Sequence, residues 1–144
     1  MFKNSEGYSD TTAGLAMSRV MKEYRKNRKT DWKRQYELKN RRKVYVISPY
    51  AGDIRKNTAA AIRFCRYVIN FGAMPVASHL LYPQILDARS KDEREMGLMF
   101  GMALLAVCDE AWVFGSTISS GMEAEIAEAK RLNIPIRYIE EVPE

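Results

Sequence analysis

The sequence lacks the residues and patterns on which several large functional classes depend. One histidine, His79, and two cysteines without C-x-x-C spacing, Cys65 and Cys108, cannot form a convincing zinc site. No run of 18 apolar residues is present to span a membrane, and the first residues contain no apolar segment typical of a signal peptide. Neither a G-x-G-x-x-G fingerprint nor a Walker loop occurs, so ordinary dinucleotide or triphosphate binding lacks its usual motif. We therefore expect a cytoplasmic protein that holds no metal.

Positive charge is concentrated at one end of the chain. Residues 1–43 contain 13 basic and 5 acidic side chains, a net charge of +8, whereas residues 44–144 carry a net charge of −3. This contrast predicts a basic arm over residues 1–42 and a mildly acidic domain over residues 43–144. The domain itself gives no electrostatic reason to expect nucleic-acid binding.

The arm contains a helical pattern. The spacing predicts a helix from about residue 13 to residue 29, and Trp32 and Tyr36 extend the pattern beyond Thr30. The apolar positions of its stripe are Leu15, Met17, Val20, Met21 and Tyr24. Three interpretations stay open: a helical extension that packs on the domain or on another subunit, a basic segment that binds phosphate backbones, or a disordered leader.

From residue 43 onward, strand and helix patterns alternate. Strands are predicted at residues 44–47, 74–77, 110–114 and 135–139, and helices at residues 57–71, 90–107 and 120–132. This βαβαβαβ series predicts an α/β domain of three layers, a Rossmann-like or flavodoxin-like parallel sheet of about four strands with helices on both faces.

Ligands of such sheets bind beyond the carboxyl ends of the strands. That rule selects the loops at residues 48–53, 78–87 and 115–121. Each also has a structural interpretation, since residues 48–53 suit a turn, Asn57 suits a helix cap, and His79 suits a structural histidine.

Two carboxylates follow the third of these loops. Ser120 and Glu123 have the spacing of a capping box, which gives Glu123 a structural task at the start of the helix. Glu125 has no such task, and from the residues alone it is either a surface carboxylate or a functional one. It lies about 200° further round a helix at 100° per residue, so the two carboxylates cannot share a face.

Residues 43–139 resemble the nucleoside 2-deoxyribosyltransferase superfamily. The resemblance rests on three segments, ISPYAGD, SHLLYPQ and CDEAWVFGSTISSGMEAEI. It includes the 2'-deoxynucleoside 5'-phosphate N-hydrolases and is nearest to phage and mobile-element members. The superfamily pattern of a serine, a glycine two residues on and a glutamate four further on falls on Ser119, Gly121 and Glu125.

The resemblance implies a mechanism. Glu125 attacks the anomeric carbon of the sugar, displaces the base and forms a glycosyl-enzyme, which then transfers the sugar to another base or to water. Tyr50 and Asp53 are implied to contact the sugar and the glutamate. No cofactor is needed, because the glutamate itself supplies the nucleophile.

The resemblance also implies the binding residues and the assembly. Ser119 is implied to hold a 5'-phosphate or a sugar hydroxyl, and His79, Tyr82 and Asp87 to line the base. The other substrate-binding positions are Ser48, Gly52, Asn57, Ser120, Gly121 and Met122. Relatives complete each site with a neighbouring subunit, so a homo-oligomer is expected. The alternative is a protein of the same fold that binds a nucleotide without turning it over.

Overall fold

The computed structural model describes residues 11–143. The elements are α1 (Thr11–Lys39), β1 (Lys43–Ile47), α2 (Ile54–Phe71), β2 (Met74–Val76), α3 (Lys91–Ala106), β3 (Glu110–Phe114), α4 (Ser120–Arg131) and β4 (Ile136–Ile139). Two short 3-10 helices, Ser78–Leu80 and Tyr82–Gln84, lie between β2 and α3. The chain divides after Asn40 into two units, of which the first contains α1 and the second contains every other element.

The four strands form one parallel sheet in the order β2-β1-β3-β4. In this register Tyr45 of β1 lies opposite Val76 of β2 and Ala111 of β3. Val113 of β3 lies opposite Tyr138 of β4. The predicted α/β fold with a parallel sheet of four strands is therefore confirmed.

Alternation along β1 and β3 divides the core into two layers. Tyr45 and Ile47 face one side of the sheet, where they pack with residues of α3 and α4. Val44 and Val46 face the other side and pack with residues of α2. Because both faces of the central strands are covered, the strands are apolar almost throughout, as buried parallel strands usually are.

Helix α2 begins three residues before the predicted position. Asp53, not Asn57, is its N-cap, and the Asp53 carboxylate accepts a hydrogen bond of 3.1 Å from the backbone N–H of Lys56. Either side chain can cap a helix, so the sequence pattern alone did not separate them. The helix ends at Gly72, whose φ of 103° is in the left-handed region that glycine adopts without strain.

Helix α1 runs for 29 residues, and it includes the extension of the pattern beyond residue 29 through Trp32 and Tyr36. Between Leu15 and Lys39 the sequence contains neither glycine nor proline, so nothing in the backbone interrupts the helix at Thr30. After the helix, the Asn40 side-chain amide donates a hydrogen bond of 2.7 Å to the backbone carbonyl of Tyr36. The predicted N-terminal helical extension is present.

The two edges of the sheet differ in chemistry. At the amino ends of the strands, Asp109 accepts a hydrogen bond of 2.7 Å from the backbone N–H of Lys43, and Glu110 forms a 3.1 Å ion pair with Arg42. These carboxylates are therefore used structurally. The loops at the carboxyl ends contain the candidate site residues. Within residues 11–143, no helix is both long enough and apolar enough to cross a membrane.

Candidate active site

Helix α4 carries Glu125 and begins next to the carboxyl end of β3. Its N-cap is Ser119, whose hydroxyl accepts a hydrogen bond of 3.3 Å from the backbone N–H of Met122. The predicted capping box of Ser120 and Glu123 is therefore wrong by one residue. Two consecutive serines made both positions plausible from the sequence, and only the extended backbone of Ser119 decides between them.

Glu125 lies on the covered side of α4. Its Oε2 atom is sealed from solvent and has no hydrogen-bond partner among the described residues. Burial raises the pKa of this carboxyl from its ordinary value of 4.5 to about 8, while the nearby Tyr45 hydroxyl acts in the opposite direction. A buried carboxyl with an unpartnered oxygen is unfavourable for stability, and such groups are concentrated at functional sites.

Tyr45 connects Glu125 to the rest of the sheet. Its ring is fully buried in β1, and its hydroxyl lies 2.7 Å from the Ser78 hydroxyl. Burial and the negative charge of Glu125 both raise the pKa of Tyr45, so the phenol keeps its proton and can donate it to the carboxylate. Either hydroxyl of the Tyr45 and Ser78 pair can be the donor.

Gly101 of α3 makes room for this pair of hydroxyls. A Cβ atom at residue 101 would lie 3.1 Å from the Ser78 hydroxyl and 3.2 Å from the Tyr45 hydroxyl. Both distances are tighter than ordinary contacts, so the glycine lets α3 approach the hydroxyl pair closely. The chain of contacts thus runs from α3 through Ser78 and Tyr45 to Glu125.

A second pair of polar contacts lies at the end of β1. The buried Ser48 hydroxyl is 3.0 Å from Nε2 of His79, and the His79 ring centroid is 6.0 Å from that of Tyr50. Burial lowers the pKa of His79, so its imidazole is neutral near pH 7 and offers one donor and one acceptor. The structure therefore brings Ser48, Tyr50 and His79 together.

The loop between β1 and α2 is fixed by its own side chains. The Asn57 amide donates hydrogen bonds of 3.1 Å and 3.0 Å to the backbone carbonyls of Tyr50 and Ala51. Gly52 has a φ of 97°, which a residue with a side chain rarely adopts. Asp53 follows as the cap of α2, so the loop presents Tyr50 from a constrained backbone.

The remaining predicted residues of the second loop have contacts elsewhere. Tyr82 packs against Phe100 of α3, with a ring-centroid distance of 5.3 Å. Asp87 forms a 3.1 Å ion pair with Arg89, and this hydrogen bonding lowers the pKa of the exposed carboxyl.

The residues around the start of α4 divide between surface and core. Ser120 and Gly121 are exposed, whereas Met122 packs in the core with Ile126. Glu123 is exposed and lines a surface groove of about 350 Å³ to which Lys130 of α4 and Tyr138 of β4 also contribute. Glu125 points instead towards Tyr45, so the two carboxylates do lie on different faces.

Sequence reasoning missed Tyr45, and it selected Ser78 only as the first residue of the loop at residues 78–87. The signal for Tyr45 was a hydroxyl inside the otherwise apolar strand KVYVI, because a buried phenol usually finds a polar partner. The close approach of α3 to these two hydroxyls is indicated in the sequence by Gly101, a glycine inside a predicted helix. No cluster of three or more potential metal ligands occurs in the described residues.

One solved structure with a similar fold is a 2-deoxyribosyltransferase from the psychrotolerant bacterium Bacillus psychrosaccharolyticus. The TM-score is 0.56 at 15% sequence identity, and the alignment covers 71% of this chain and 77% of that one. At this identity the similarity establishes the fold alone.

Two further comparisons concern the sequence. No curated protein matches the chain. A family described as a domain of unknown function, DUF7768, matches residues 42–139, which is well over half of the chain. The chain therefore belongs to the DUF7768 family.

Proposed function

We propose that this protein cleaves or exchanges the N-glycosidic bond of a nucleoside or deoxynucleotide, with Glu125 as the nucleophile. The observation that carries the proposal is the buried Glu125 carboxyl, whose Oε2 lacks a partner among the described residues. The fold shared with a 2-deoxyribosyltransferase supports the same chemistry. No cofactor is invoked, because the carboxylate itself forms the covalent bond.

The proposed reaction has two steps. First, a Glu125 oxygen bonds to the anomeric carbon, and the electron pair of the broken C–N bond leaves with the base, which takes up a proton. Second, a nitrogen of another base, or water, attacks the same carbon and releases the Glu125 carboxylate, and the attacking group loses a proton.

Tyr45 and Ser78 are the proposed positioning residues for the nucleophile. The reactive form of Glu125 is the carboxylate, which burial disfavours and the Tyr45 hydroxyl favours. Ser78 holds the Tyr45 hydroxyl from the other side at 2.7 Å. A hydroxyl that donates to one carboxylate oxygen also fixes the direction in which the other oxygen points.

The rest of the site is proposed to bind the substrate. Tyr50 and the neutral His79 lie together at the end of β1, where two aromatic rings and the imidazole nitrogen that does not contact Ser48 suit a nucleobase. Asp53 and the start of α4 at Ser119 are proposed to contact the sugar or a 5'-phosphate. The predicted contacts of Tyr82 and Asp87 with the base remain part of this proposal.

The test is base release measured by liquid chromatography from a panel of deoxynucleosides and their 5'-monophosphates, with and without a second free base. We expect base release or base exchange with at least one member of the panel. Glu125→Gln should reduce the rate by about 1,000-fold or more, because the covalent step is lost. Glu123→Gln is the matched control, since it removes an exposed carboxylate two residues away on another face of α4.

The panel also tests the finer predictions of the resemblance. Cleavage confined to 5'-monophosphates would favour kinship with the N-hydrolases, and exchange between free bases would favour transferases. Unchanged activity in Glu125→Gln would contradict the proposed nucleophile.

A second candidate function is nucleotide binding without turnover. It is favoured by the pKa of about 8, because Glu125 is then largely protonated near pH 7 and can donate a hydrogen bond to a ligand. Retention of one member of the panel in equilibrium dialysis, with no product after long incubation, would select this function over catalysis.

A further inference from the structure

We propose that α1 binds nucleic acid through one face on which basic side chains and aromatic rings lie together. This face consists of Arg19, Lys22, Arg25, Lys26, Trp32, Lys33 and Tyr36, and we call it the basic face. The proposal concerns the unit that contains α1, whereas the candidate active-site residues belong to the other unit. It does not depend on the proposed function.

The basic face follows from helical geometry. At 100° per residue, Arg19, Lys22 and Lys33 point within about 60° of one another. They span 14 residues, or about 21 Å of helix at 1.5 Å per residue. Thr11–Lys39 contains nine basic and three acidic residues, a net charge of +6. A polyanion with closely spaced charges is the partner that such a row complements.

Aromatic rings border the same face. The Trp32 and Tyr36 rings lie 6.2 Å apart with an interplanar angle of 16°, and they are 67% and 60% exposed. Exposed aromatic rings beside basic side chains form the usual platform for unpaired bases, which stack on rings while their phosphates contact cations. We therefore infer a preference for single strands over duplex.

The other side of α1 does not suit the two alternative partners, a lipid surface or a second copy of the helix in a coiled coil. An apolar stripe of Met17, Val20, Met21 and Tyr24 lies away from the basic face. Further along the helix, the same side carries Arg28, Asp31 and Gln35, which would have to enter the membrane or the coiled-coil seam. The apolar stripe is thus only about two turns long.

The experiment measures binding of the full chain to a fluorescently labelled thymidine oligonucleotide by anisotropy, over a series of salt concentrations. The test variant removes three charges from the basic face: Arg19→Gln, Lys22→Gln and Lys33→Gln. Its matched control removes three charges from elsewhere on α1: Arg28→Gln, Arg34→Gln and Lys39→Gln. Circular dichroism checks that both variants keep their helix content.

We expect the test variant to bind at least tenfold more weakly. The slope of log K against log salt should fall by about 2, at about 0.7 for each phosphate contact on a single strand. The control should change binding little. Binding should also quench Trp32 fluorescence, because bases stack on its ring. The change can be assigned to Trp32, since the other tryptophan, Trp112, is 1% exposed.

Two further arms complete the test. A duplex of the same length should bind more weakly than the single strand, and equal affinity would overturn the single-strand preference. Equal losses in both triple variants, no binding by the wild type, or tighter binding to phosphatidylserine vesicles than to the oligonucleotide would overturn the proposal. Because these arms do not measure base release, they are independent of the candidate active site.

Discussion

At the scale of single residues, Glu125 is held between two opposing influences. Burial disfavours its charge and raises its pKa to about 8, whereas the Tyr45 hydroxyl stabilises the charged form. A carboxylate nucleophile has to be ionised before it attacks. The balance between burial and Tyr45 therefore sets the fraction of protein that is ready to react.

The first prediction concerns the pH dependence of base release. We expect kcat/KM to rise with pH and to level off above about 8. The reason is that the ionised fraction of Glu125 increases as the pH passes the pKa of this carboxyl. Tyr45→Phe should move the midpoint to higher pH, since the interaction that favours the carboxylate is lost. Tyr67→Phe is the control, because its ring packs on Trp112 and Phe114 on the other side of the sheet. An unchanged midpoint in Tyr45→Phe would contradict the role of the phenol.

The second prediction concerns stability. The pKa of Glu125 is higher in the folded protein than its ordinary value of 4.5, so its contribution to stability is fully present below pH 4.5. That contribution is lost as the pH rises to about 8. In urea titrations, the free energy of unfolding of the wild type relative to Glu125→Gln should fall by on the order of 4 kcal/mol across this range. A constant difference between the two proteins would show that Glu125 is not held in a raised-pKa environment.

At the scale of elements, the site depends on how closely α3 approaches β1. Gly101 permits the contact between α3 and the hydroxyls of Tyr45 and Ser78. Gly97, one turn earlier on the same helix, has only an ordinary contact of 3.5 Å with Leu86. The two glycines are therefore a natural pair for comparison.

The third prediction uses this pair. Gly97→Ala should stabilise the protein by about 0.5–1 kcal/mol, because alanine favours the helix. Gly101→Ala should lose that gain and destabilise by about 1 kcal/mol, because its methyl group displaces Ser78 or Tyr45. Thermal unfolding measures both, and the pH midpoint of base release should move in Gly101→Ala alone. Equal stabilisation by both variants would mean that the approach of α3 is not tight.

The elements themselves could largely be predicted from the sequence, because apolar strands and helical patterns alternate clearly after residue 43. Helix starts were harder, since neighbouring residues such as Ser119 and Ser120 cap equally well and only the backbone distinguishes them. The contact of Tyr45 with Ser78 joins residues 33 positions apart and depends on the register of β1 and β2. No local pattern encodes such a contact.

At the scale of the whole molecule, α3 has an apolar face that other described residues leave exposed. Met96, Met99 and Phe100 are 46%, 51% and 43% exposed, and Val107 is 66% exposed. Met99, Phe100 and Val107 follow Met96 by three, four and eleven residues, so all four lie on one side of the helix. We propose that this face packs against a second copy of the chain, in keeping with the expected homo-oligomer.

The fourth prediction tests that assembly. Size-exclusion chromatography with light scattering should show an oligomer for the wild type and a shift towards monomer for Met99→Glu, because a charge would enter the apolar contact. Leu98→Glu is the control, since Leu98 is 44% exposed but points to another side of α3. A wild-type monomer, or equal effects of the two substitutions, would contradict the proposed interface.

The central claim is that Glu125 forms a covalent bond to the sugar, and acid quenching of the protein during turnover tests it most directly. Proteolysis and mass spectrometry of wild type incubated with a deoxynucleoside or deoxynucleotide that it cleaves should show one deoxyribosyl group, or its 5'-phosphate, on Glu125. The Glu125→Gln protein should show none. A sugar attached to another residue, or base release that continues unchanged in Glu125→Gln, would contradict the account.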